Sequence, residues 1–329
     1  MTTAMPLTRD KSIRLHDYAS DDVLGAIHAH TGPTPQIELG YEAEIGTIWL
    51  TLAPEPRPVF TFELLSSVNK VQRAVHTLWN SGVSSKSPIK FLAYLHKQVG
   101  PISTLGGDIE FYLDCIAKGD RARLREYARL SVEGIIWNDS CLRGSAITVA
   151  AAPRGVVLGG GIDAPRSCNI MIAERQASFS YPEVKFNHFP IGAVAVLSRY
   201  VAPRVAHEIL AGGKEYSAEE FARIGVIDAV VGEGESDAWI RNYITGNLRT
   251  HAAQLALFQA FSRRVARPFE EELDDLAKRW TEHMMRLTPI EIAHLQKIVV
   301  AQDHFLSRSF REAEMAKRKA EAVQQGTNA

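Results

Sequence analysis

Two glycine-rich turns constrain the fold of this 329-residue chain more than any other feature. The first is the LGGD motif at residues 105–108, and the second is the GGG run at residues 159–161. Each turn follows a predicted strand and opens a predicted helix, and glycine lets the backbone come close to a ligand there. The first N–H groups of a helix have no partner within the helix, and the helix dipole favours negative charge at that end. The two turns together predict a site where two amides bind one negatively charged oxygen.

A single glycine-rich turn more often has only a structural role, so the prediction of an oxyanion site rests on the two turns together. Neither turn is followed by Gly-Lys-Ser/Thr, as a phosphate-binding loop would require. Neither has the G-x-G-x-x-G spacing of a dinucleotide-binding motif. The pattern therefore favours an oxyanion site over a nucleotide site.

Two carboxylates stand close to the second glycine run in the sequence. Asp163 lies two residues after the run, and Glu183 follows twenty residues later, directly after Pro182 at the end of a predicted strand. Taken alone, Asp163 fits a helix-start carboxylate and Glu183 fits an exposed loop residue. Taken with the glycine turns, the two carboxylates are candidates for an acid/base pair beside the oxyanion.

The composition is that of an ordinary globular protein, with 46% hydrophobic and 23% charged residues and a net charge of −1. The balanced charge favours neither a nucleic-acid partner nor a membrane surface. The three cysteines show no C-x-x-C spacing and no metal-ligand pattern. We find neither an apolar signal-peptide segment nor an 18-residue apolar run, so we expect a cytoplasmic protein without a membrane span.

The pattern along the chain divides it into three parts. Residues 1–38 are predicted to form a weakly ordered or peripheral arm. Residues 39–234 alternate strand and helix signals, which predicts an α/β core. Residues 235–329 show only helical patterns, and their apolar stripes need a surface to cover. That surface is either the core of the same chain or another subunit.

The motifs LGGD, GGGID and PEVKF resemble those of the crotonase (enoyl-CoA hydratase/isomerase) superfamily. The resemblance runs from about residue 42 to residue 231. Within the superfamily, the chain is most similar to the diffusible-signal-factor synthases, which make cis-2-unsaturated fatty acid signals. The stretches that carry this finer likeness include TIWLTLAPEPRPVFTFELL at 47–65 and RLTPIEIAHLQKIVVAQ at 286–302.

The resemblance implies a ClpP/crotonase-like spiral of ββα units with a helical C-terminal region. It implies that the amides of Gly107 and Gly160 form the oxyanion hole and that Asp163 and Glu183 are the acid/base pair. It also implies no metal and no resident cofactor, since the substrate arrives as a thioester of coenzyme A or of acyl carrier protein. Members are commonly homo-oligomers, either trimers or hexamers.

The implied reaction is dehydration of a 3-hydroxyacyl thioester to a 2-enoyl product, to which the synthase likeness adds thioester hydrolysis. One alternative is another crotonase reaction in secondary metabolism: hydration, isomerisation, decarboxylation or C–C bond chemistry. A second alternative is a subunit that binds acyl-CoA and has lost catalysis. Turnover of acyl thioesters distinguishes these three hypotheses.

The chain departs from the synthase pattern at two positions. Asp163 stands where the synthases carry a glutamate, and its side chain is one methylene shorter. Ile191 stands where they carry a glycine after Phe-Pro, in a loop expected to line the acyl pocket. A shift of about 1 Å at a proton-transfer group can cost about a hundredfold in rate. The superfamily is thus better supported than the exact reaction.

Two further interpretations concern polar residues outside these motifs. His96 ends a predicted buried strand and is interpreted as a core histidine with satisfied hydrogen bonds. Four arginines of one helix are interpreted as its solvated face, with contact to a carrier protein or to a phosphopantetheine phosphate as the alternative: Arg121, Arg123, Arg125 and Arg129.

Overall fold

The computed structural model describes residues 21–79, 87–97, 102–151, 154–262 and 269–326. In these ranges the strands are β1 (Ile37–Glu42), β2 (Thr47–Leu52), β3 (Phe91–His96), β4 (Ile102–Thr104), β5 (Ile147–Ala151), β6 (Val156–Leu158), β7 (Ile170–Glu174), β8 (Ser178–Ser180), β9 (Glu215–Ser217) and β10 (Ala229–Val231).

The helices are α1 (Asp21–Thr31), α2 (Phe62–Trp79), α3 (Ile109–Lys118), α4 (Arg121–Asp139), α5 (Cys141–Gly144), α6 (Gly160–Arg166), α7 (Ala193–Leu197), α8 (Pro203–Gly212), α9 (Ala218–Ile224), α10 (Ser236–Asn247), α11 (His251–Ser262), α12 (Phe269–Met284) and α13 (Pro289–Gly326). Short 3₁₀ helices cover 43–45, 183–186 and 248–250.

The strands form two sheets. The larger sheet has the order β1-β2-β3-β5-β7-β10, in which only β1 is antiparallel to its neighbour. The smaller sheet has the order β4-β6-β8-β9, in which β9 is antiparallel and the other pairings are parallel. All six residues of β2 are buried, which is typical of an inner strand covered on both faces.

The chain adds one strand to each sheet and then a helix, and it repeats this order. β3 and β4 precede α3, β5 and β6 precede α6, and β7 and β8 precede α7. The segment just before α2 lies beside the first glycine turn, through an isolated parallel bridge between Phe60 and Gly107. This is the spiral of ββα units that the family resemblance implies. It brings the end of one turn beside the next, so segments that are distant in sequence meet at one place.

Local capping fixes where several of these helices begin. The Asp108 side chain accepts a hydrogen bond from the Phe111 amide at the start of α3. Ser217 and Glu220 form a capping box at the start of α9, as the sequence indicates. Such caps are worth about 1 kcal/mol each, which supports the boundaries without deciding the tertiary fold.

The predicted N-terminal arm is only in part peripheral. Helix α1 lies within it, and Val23, Leu24 and Ile27 are buried in the core cluster that contains β2 and α2. Residues 21–31 are thus part of the core, because three apolar side chains on one helix find a surface there. Residues 1–20 lie outside the described part of the chain.

The helical C-terminal region covers its own core. Leu273, Trp280 and Met284 of α12 are buried against α4, in one cluster with Leu295 of α13. Other apolar side chains of this region are exposed, including Leu257, Phe261 and Ile290. In the described part of the chain, every helix is too short or too polar to traverse a bilayer.

Candidate active site

The second glycine turn connects β6 to α6 in a conformation that favours glycine. Gly159 has φ +53° and ψ −128°, and its amide donates to the Ser180 carbonyl at 2.9 Å. Helix α6 begins at Gly160, whose amide donates to no residue in the described ranges. The turn therefore presents a free N–H at a helix start.

The first glycine turn lies directly against the second. Gly106 has φ +84°, and its carbonyl accepts a 2.9 Å hydrogen bond from the Phe60 amide. A Cβ placed on Gly106 would lie 3.6 Å from the Gly160 amide nitrogen. The Gly107 amide likewise donates to no described residue. The spiral thus brings together the two free amides that the sequence singled out.

One cavity of about 250 Å³ is lined by all four predicted site residues: Gly107, Gly160, Asp163 and Glu183. Gly107 and Asp163 are 56 positions apart in the sequence, and the larger and smaller sheets hold them at one place. The described residues contain no cluster of three His, Cys, Asp or Glu side chains suited to a metal ion. The ionisable chemistry of the cavity therefore lies first in the two carboxylates.

Asp163 is buried in the first turn of α6, with 2% of its surface exposed. The Tyr181 hydroxyl donates to its Oδ1 at 2.6 Å. Burial raises the pKa of Asp163 to about 7, while the Tyr181 hydroxyl and the Gly192 amide limit that rise. A carboxyl group with this pKa can hold or release a proton near neutral pH.

Glu183 begins the 3₁₀ helix that follows β8, and its carboxylate lies against the Gly159 turn. Its Oε2 is buried and has no hydrogen-bond partner among the described residues. Burial raises the pKa of Glu183 to about 8; its own backbone amide opposes the rise, and the charge of Asp163 adds to it. Two acids with separated, raised pKa values can act as proton donor and acceptor.

Sequence reasoning missed Tyr181 and Gly192, which contact Asp163 from two different segments. Tyr181 follows β8 and is 1% exposed, and Gly192 precedes α7. The only available signal was the position of Tyr181 two residues before Glu183. A hydrogen bond to a residue 18 positions earlier depends on how β6 and β8 pair, which residue type alone does not reveal.

The interpretation of His96 as a satisfied core histidine is wrong. His96 lines the cavity, and neither of its ring nitrogens forms a hydrogen bond with a described residue. Burial lowers its pKa to about 3, so the imidazole is neutral at physiological pH. The strand end that looked like core in the sequence opens into the cavity, because α2 and α4 leave a space beside it.

Two other segments complete the wall of the cavity. The loop with the second departure contributes Phe189, Pro190 and Ile191, and the C-terminal region contributes Trp280 and Gln302. The helical region of the same chain therefore closes the site that the core builds. Of the four arginines considered for a carrier, three form ion pairs within the chain: Arg121 with Glu282, Arg123 with Asp114, and Arg129 with Glu126 and Glu133.

Comparison with known families agrees with this architecture. Residues 136–274 match the sequence profile described as enoyl-CoA hydratase/isomerase. The matched segment contains Gly160, Asp163 and Glu183, and the ββα spiral surrounds it. This segment is similar to the enoyl-CoA hydratase/isomerase family, and the match covers less than half of the chain. The finer likeness to the diffusible-signal-factor synthases stays a prediction.

Several hydratases and dehydratases match over part of the chain. Cyclohexa-1,5-dienecarbonyl-CoA hydratase of Thauera aromatica is 28% identical over 143 residues, which cover 43% of this chain and 55% of that protein. Mevalonyl-coenzyme A hydratase SIDH of Beauveria bassiana is 37% identical over 89 residues, 27% of this chain and 32% of that protein. Carnitinyl-CoA dehydratase of Salmonella typhimurium is 34% identical over 88 residues, 26% of this chain and 34% of that protein. The matched segments thus span about half of the first relative and about a third of the others.

Solved structures show the crotonase fold over most of the chain. An enoyl-CoA hydratase from Bacillus halodurans superposes with a TM-score of 0.67 and 21% identity, covering 80% of this chain and 99% of that one. An enoyl-CoA hydratase/isomerase from Xanthobacter autotrophicus Py2 gives a TM-score of 0.64 and 21% identity, covering 88% and 99%. At these identities the superpositions establish the fold, which is the predicted α/β spiral with a helical C-terminal region.

Proposed function

We propose that this protein is an acyl-thioester enzyme of the crotonase superfamily that removes water from a 3-hydroxyacyl thioester to give a 2-enoyl product. The observation that carries the proposal is one cavity lined by two free amides, Gly107 and Gly160, and by two buried carboxylates, Asp163 and Glu183. Each group alone is explained by local structure: an ordinary glycine turn, a helix-start carboxylate or a loop glutamate. Their convergence supplies the groups that enolate chemistry at a thioester requires.

The two amides bind the thioester oxygen. When the Cα proton leaves, negative charge moves onto this oxygen, and N–H groups already in place stabilise it without reorganisation. Removal of one such donor typically costs about 3–4 kcal/mol of transition-state stabilisation. Holding the carbonyl between Gly107 and Gly160 also fixes Cα and the β-hydroxyl relative to the carboxylates.

The two carboxyl groups move the protons. One, ionised, removes the Cα proton, and the other, protonated, donates to the β-hydroxyl, which leaves as water as the Cα–Cβ double bond forms. With pKa values of about 7 for Asp163 and about 8 for Glu183, the pair carries one proton near neutral pH. Hydration is the same path in reverse, so the equilibrium and the available substrate set the direction.

Two further observations favour water chemistry on a coenzyme A thioester. The matched relatives are two hydratases and one dehydratase, each named for a CoA substrate. On the helix that carries the four arginines, three of them form ion pairs with acidic residues of the same chain. Their charge is therefore less available to bind an acidic carrier protein. We therefore propose coenzyme A as the carrier in preference to acyl carrier protein.

The synthase likeness adds a finer proposal: hydrolysis of the thioester after dehydration. In this step water attacks the carbonyl held by the same two amides, the C–S bond breaks, and the free acid and the thiol leave. The aspartate at position 163, where the synthases carry a glutamate, affects the dehydration step, because proton transfer depends on how far the carboxyl group extends towards the substrate. Product analysis separates the cases: free 2-enoic acid supports both steps, and 2-enoyl thioester alone supports dehydration.

The test is turnover of matched 3-hydroxyacyl and 2-enoyl thioesters, on coenzyme A and on acyl carrier protein. We expect Glu183→Gln to lower kcat by about 10²- to 10⁴-fold, the usual contribution of a general acid or base. The isosteric amide should leave the melting temperature nearly unchanged or raise it. Glu215→Gln, at an exposed glutamate of β9, is the matched control. Binding of thioesters without turnover would instead make the chain a non-catalytic subunit, and unchanged turnover in Glu183→Gln would remove Glu183 from the mechanism.

A further inference from the structure

Part of the cavity lining is polar and lies outside the residues assigned to the oxyanion hole and the acid/base pair. Tyr94 and His96 are two residues apart on β3, so their side chains point to the same face of the sheet. Both line the cavity, together with Gln72 of α2 and Asn138 of α4. A pocket for a plain hydrocarbon tail would place apolar side chains here.

The Tyr94 hydroxyl has an unused proton. Its oxygen accepts a 2.9 Å hydrogen bond from Gln72 Nε2, and that nitrogen also donates to the Gly134 carbonyl at 3.2 Å and to Asn138 Oδ1 at 2.9 Å. The Gly134 carbonyl and Asn138 Oδ1 cannot donate, so they place the NH2 group of Gln72 on this side; its two protons are shared among three acceptors, one of which is the Tyr94 oxygen. No described residue accepts the Tyr94 proton, although buried tyrosine hydroxyls ordinarily have a partner.

His96 offers a second pair of unused groups. Neither ring nitrogen bonds to a described residue, and burial lowers the pKa of the ring to about 3. A neutral imidazole has one N–H donor and one acceptor nitrogen. Tyr94 and His96 together therefore present two donors and one acceptor to the same space.

The surroundings decide the charge of the group that fits. Many of the residues that line the cavity are apolar, including Leu65, Val68, Ile135, Ala164 and Pro165. Lysine and arginine are absent from the described residues that line the cavity. A carboxylate or phosphate at this position would be desolvated without a counter-charge, which is strongly unfavourable. An uncharged oxygen can satisfy both donors at no such cost.

We propose that Tyr94 and His96 form a subsite for an uncharged oxygen, a hydroxyl or a carbonyl, on the acyl chain of the substrate. The proposal rests on the proposed function, since it concerns the tail of the same thioester. A plain alkyl tail leaves both donors buried and unpaired, and sites built to hydrogen-bond a substrate group discriminate against analogues that lack it. The subsite thus selects oxygenated acyl chains.

The experiment uses pairs of acyl-CoA substrates of equal length. One member has an unsubstituted tail, and the other carries a hydroxyl or keto group at one position beyond Cβ, moved stepwise along the chain. For the wild-type protein we expect kcat/KM to favour the oxygenated member at least about tenfold at one position, mainly through KM. Tyr94→Phe and His96→Leu should each reduce this preference at least about fivefold, because the oxygenated chain loses a hydrogen-bond partner and the unsubstituted chain no longer leaves that donor unpaired.

Tyr41→Phe is the matched control, because Tyr41 is buried on β1 and its hydroxyl donates to the Pro88 carbonyl, outside the cavity. It should keep the wild-type preference. Equal turnover of both chain types by the wild-type protein, or a preference unchanged in Tyr94→Phe, would overturn the subsite while the thioester chemistry stands. If no thioester is turned over, calorimetric binding of the same pairs to Glu183→Gln tests the subsite separately, and equal affinities would overturn it.

Discussion

The hydroxyl of Tyr181 donates a 2.6 Å hydrogen bond to Oδ1 of Asp163, and both side chains are almost completely buried. This bond favours the ionised carboxylate, so it lowers a pKa that burial raises. Tyr181 thus sets how far the pKa of Asp163 departs from its ordinary value. It also fixes the direction in which the carboxylate faces the cavity.

We expect Tyr181→Phe to raise the pKa of Asp163 further, because the ionised form loses its donor. The limb of the pH–rate profile that reports Asp163 should shift to higher pH, and kcat/KM at neutral pH should fall about tenfold or more, since hydrogen bonds to charged groups contribute about 1.5–3 kcal/mol. Tyr41→Phe should leave the profile in place. A lower rate with an unshifted profile would show that Tyr181 only packs.

The raised pKa values predict how stability depends on pH. The ordinary pKa values are 3.8 for Asp163 and 4.5 for Glu183, whereas the folded values are about 7 and about 8. Between these limits the folded protein holds protons that the unfolded chain has released, so the free energy of unfolding falls as pH rises. The decrease continues through the folded pKa of Glu183, about 8, and ends only when the pH lies well above it.

The double variant Asp163→Asn/Glu183→Gln removes both titrations. We expect its melting temperature to fall less than that of the wild-type protein between pH 5 and pH 8, and we expect it to be the more stable protein at the upper end. Thermal unfolding of both proteins across this range checks the difference. Parallel curves would mean that the two carboxyl groups titrate normally in the folded state.

Gly159→Ala should disturb the site through Glu183. A Cβ at Gly159 would overlap the Glu183 carboxylate, and its positive φ suits few other residues. We expect a loss of about 1–3 kcal/mol in stability from the backbone. We also expect about a hundredfold loss in kcat, because a shift of about 1 Å in a catalytic group has this effect. Gly212→Ala, where a Cβ meets open space, should match the wild-type protein in both measurements.

Asp163→Glu tests whether the shorter acid belongs to this site. Oδ1 is bonded to Tyr181, and Oδ2 lies 3.5 Å from a Cβ placed on Gly192. An added methylene has to displace these neighbours, and overpacking of this kind costs about 1–3 kcal/mol. We therefore expect lower stability and slower turnover of the native substrate. A faster dehydration or thioester hydrolysis would favour the hypothesis of a synthase. Asp114→Glu, at a partly exposed position on α3, is the control for the substitution itself.

Prediction from the sequence succeeded where the signal was local. Apolar residues at helical spacing from Phe62 to Leu78 predict a helix that ends near Asn80, and α2 spans Phe62–Trp79. The sequence also predicts Asp108 and Ser217 as helix caps, and they cap α3 and α9. It failed for α1 and for β9, which are short and owe their stability to contacts with distant segments. It failed for His96 because a strand end that borders a cavity has the same pattern as one that borders the core.

The sequence by itself determined the chemical parts of this protein: two glycine turns at helix starts, two carboxylates, and alternating strands and helices that require an α/β core. These are properties of residue type and spacing, which act over a few positions. Only the tertiary structure decided that Gly107 and Gly160 face one cavity, that Tyr181 bonds Asp163, and that Tyr94 and His96 line the same cavity. Those relations depend on strand order and on burial, because desolvation and hydrogen bonding act between atoms that are close in space, whatever their distance along the chain.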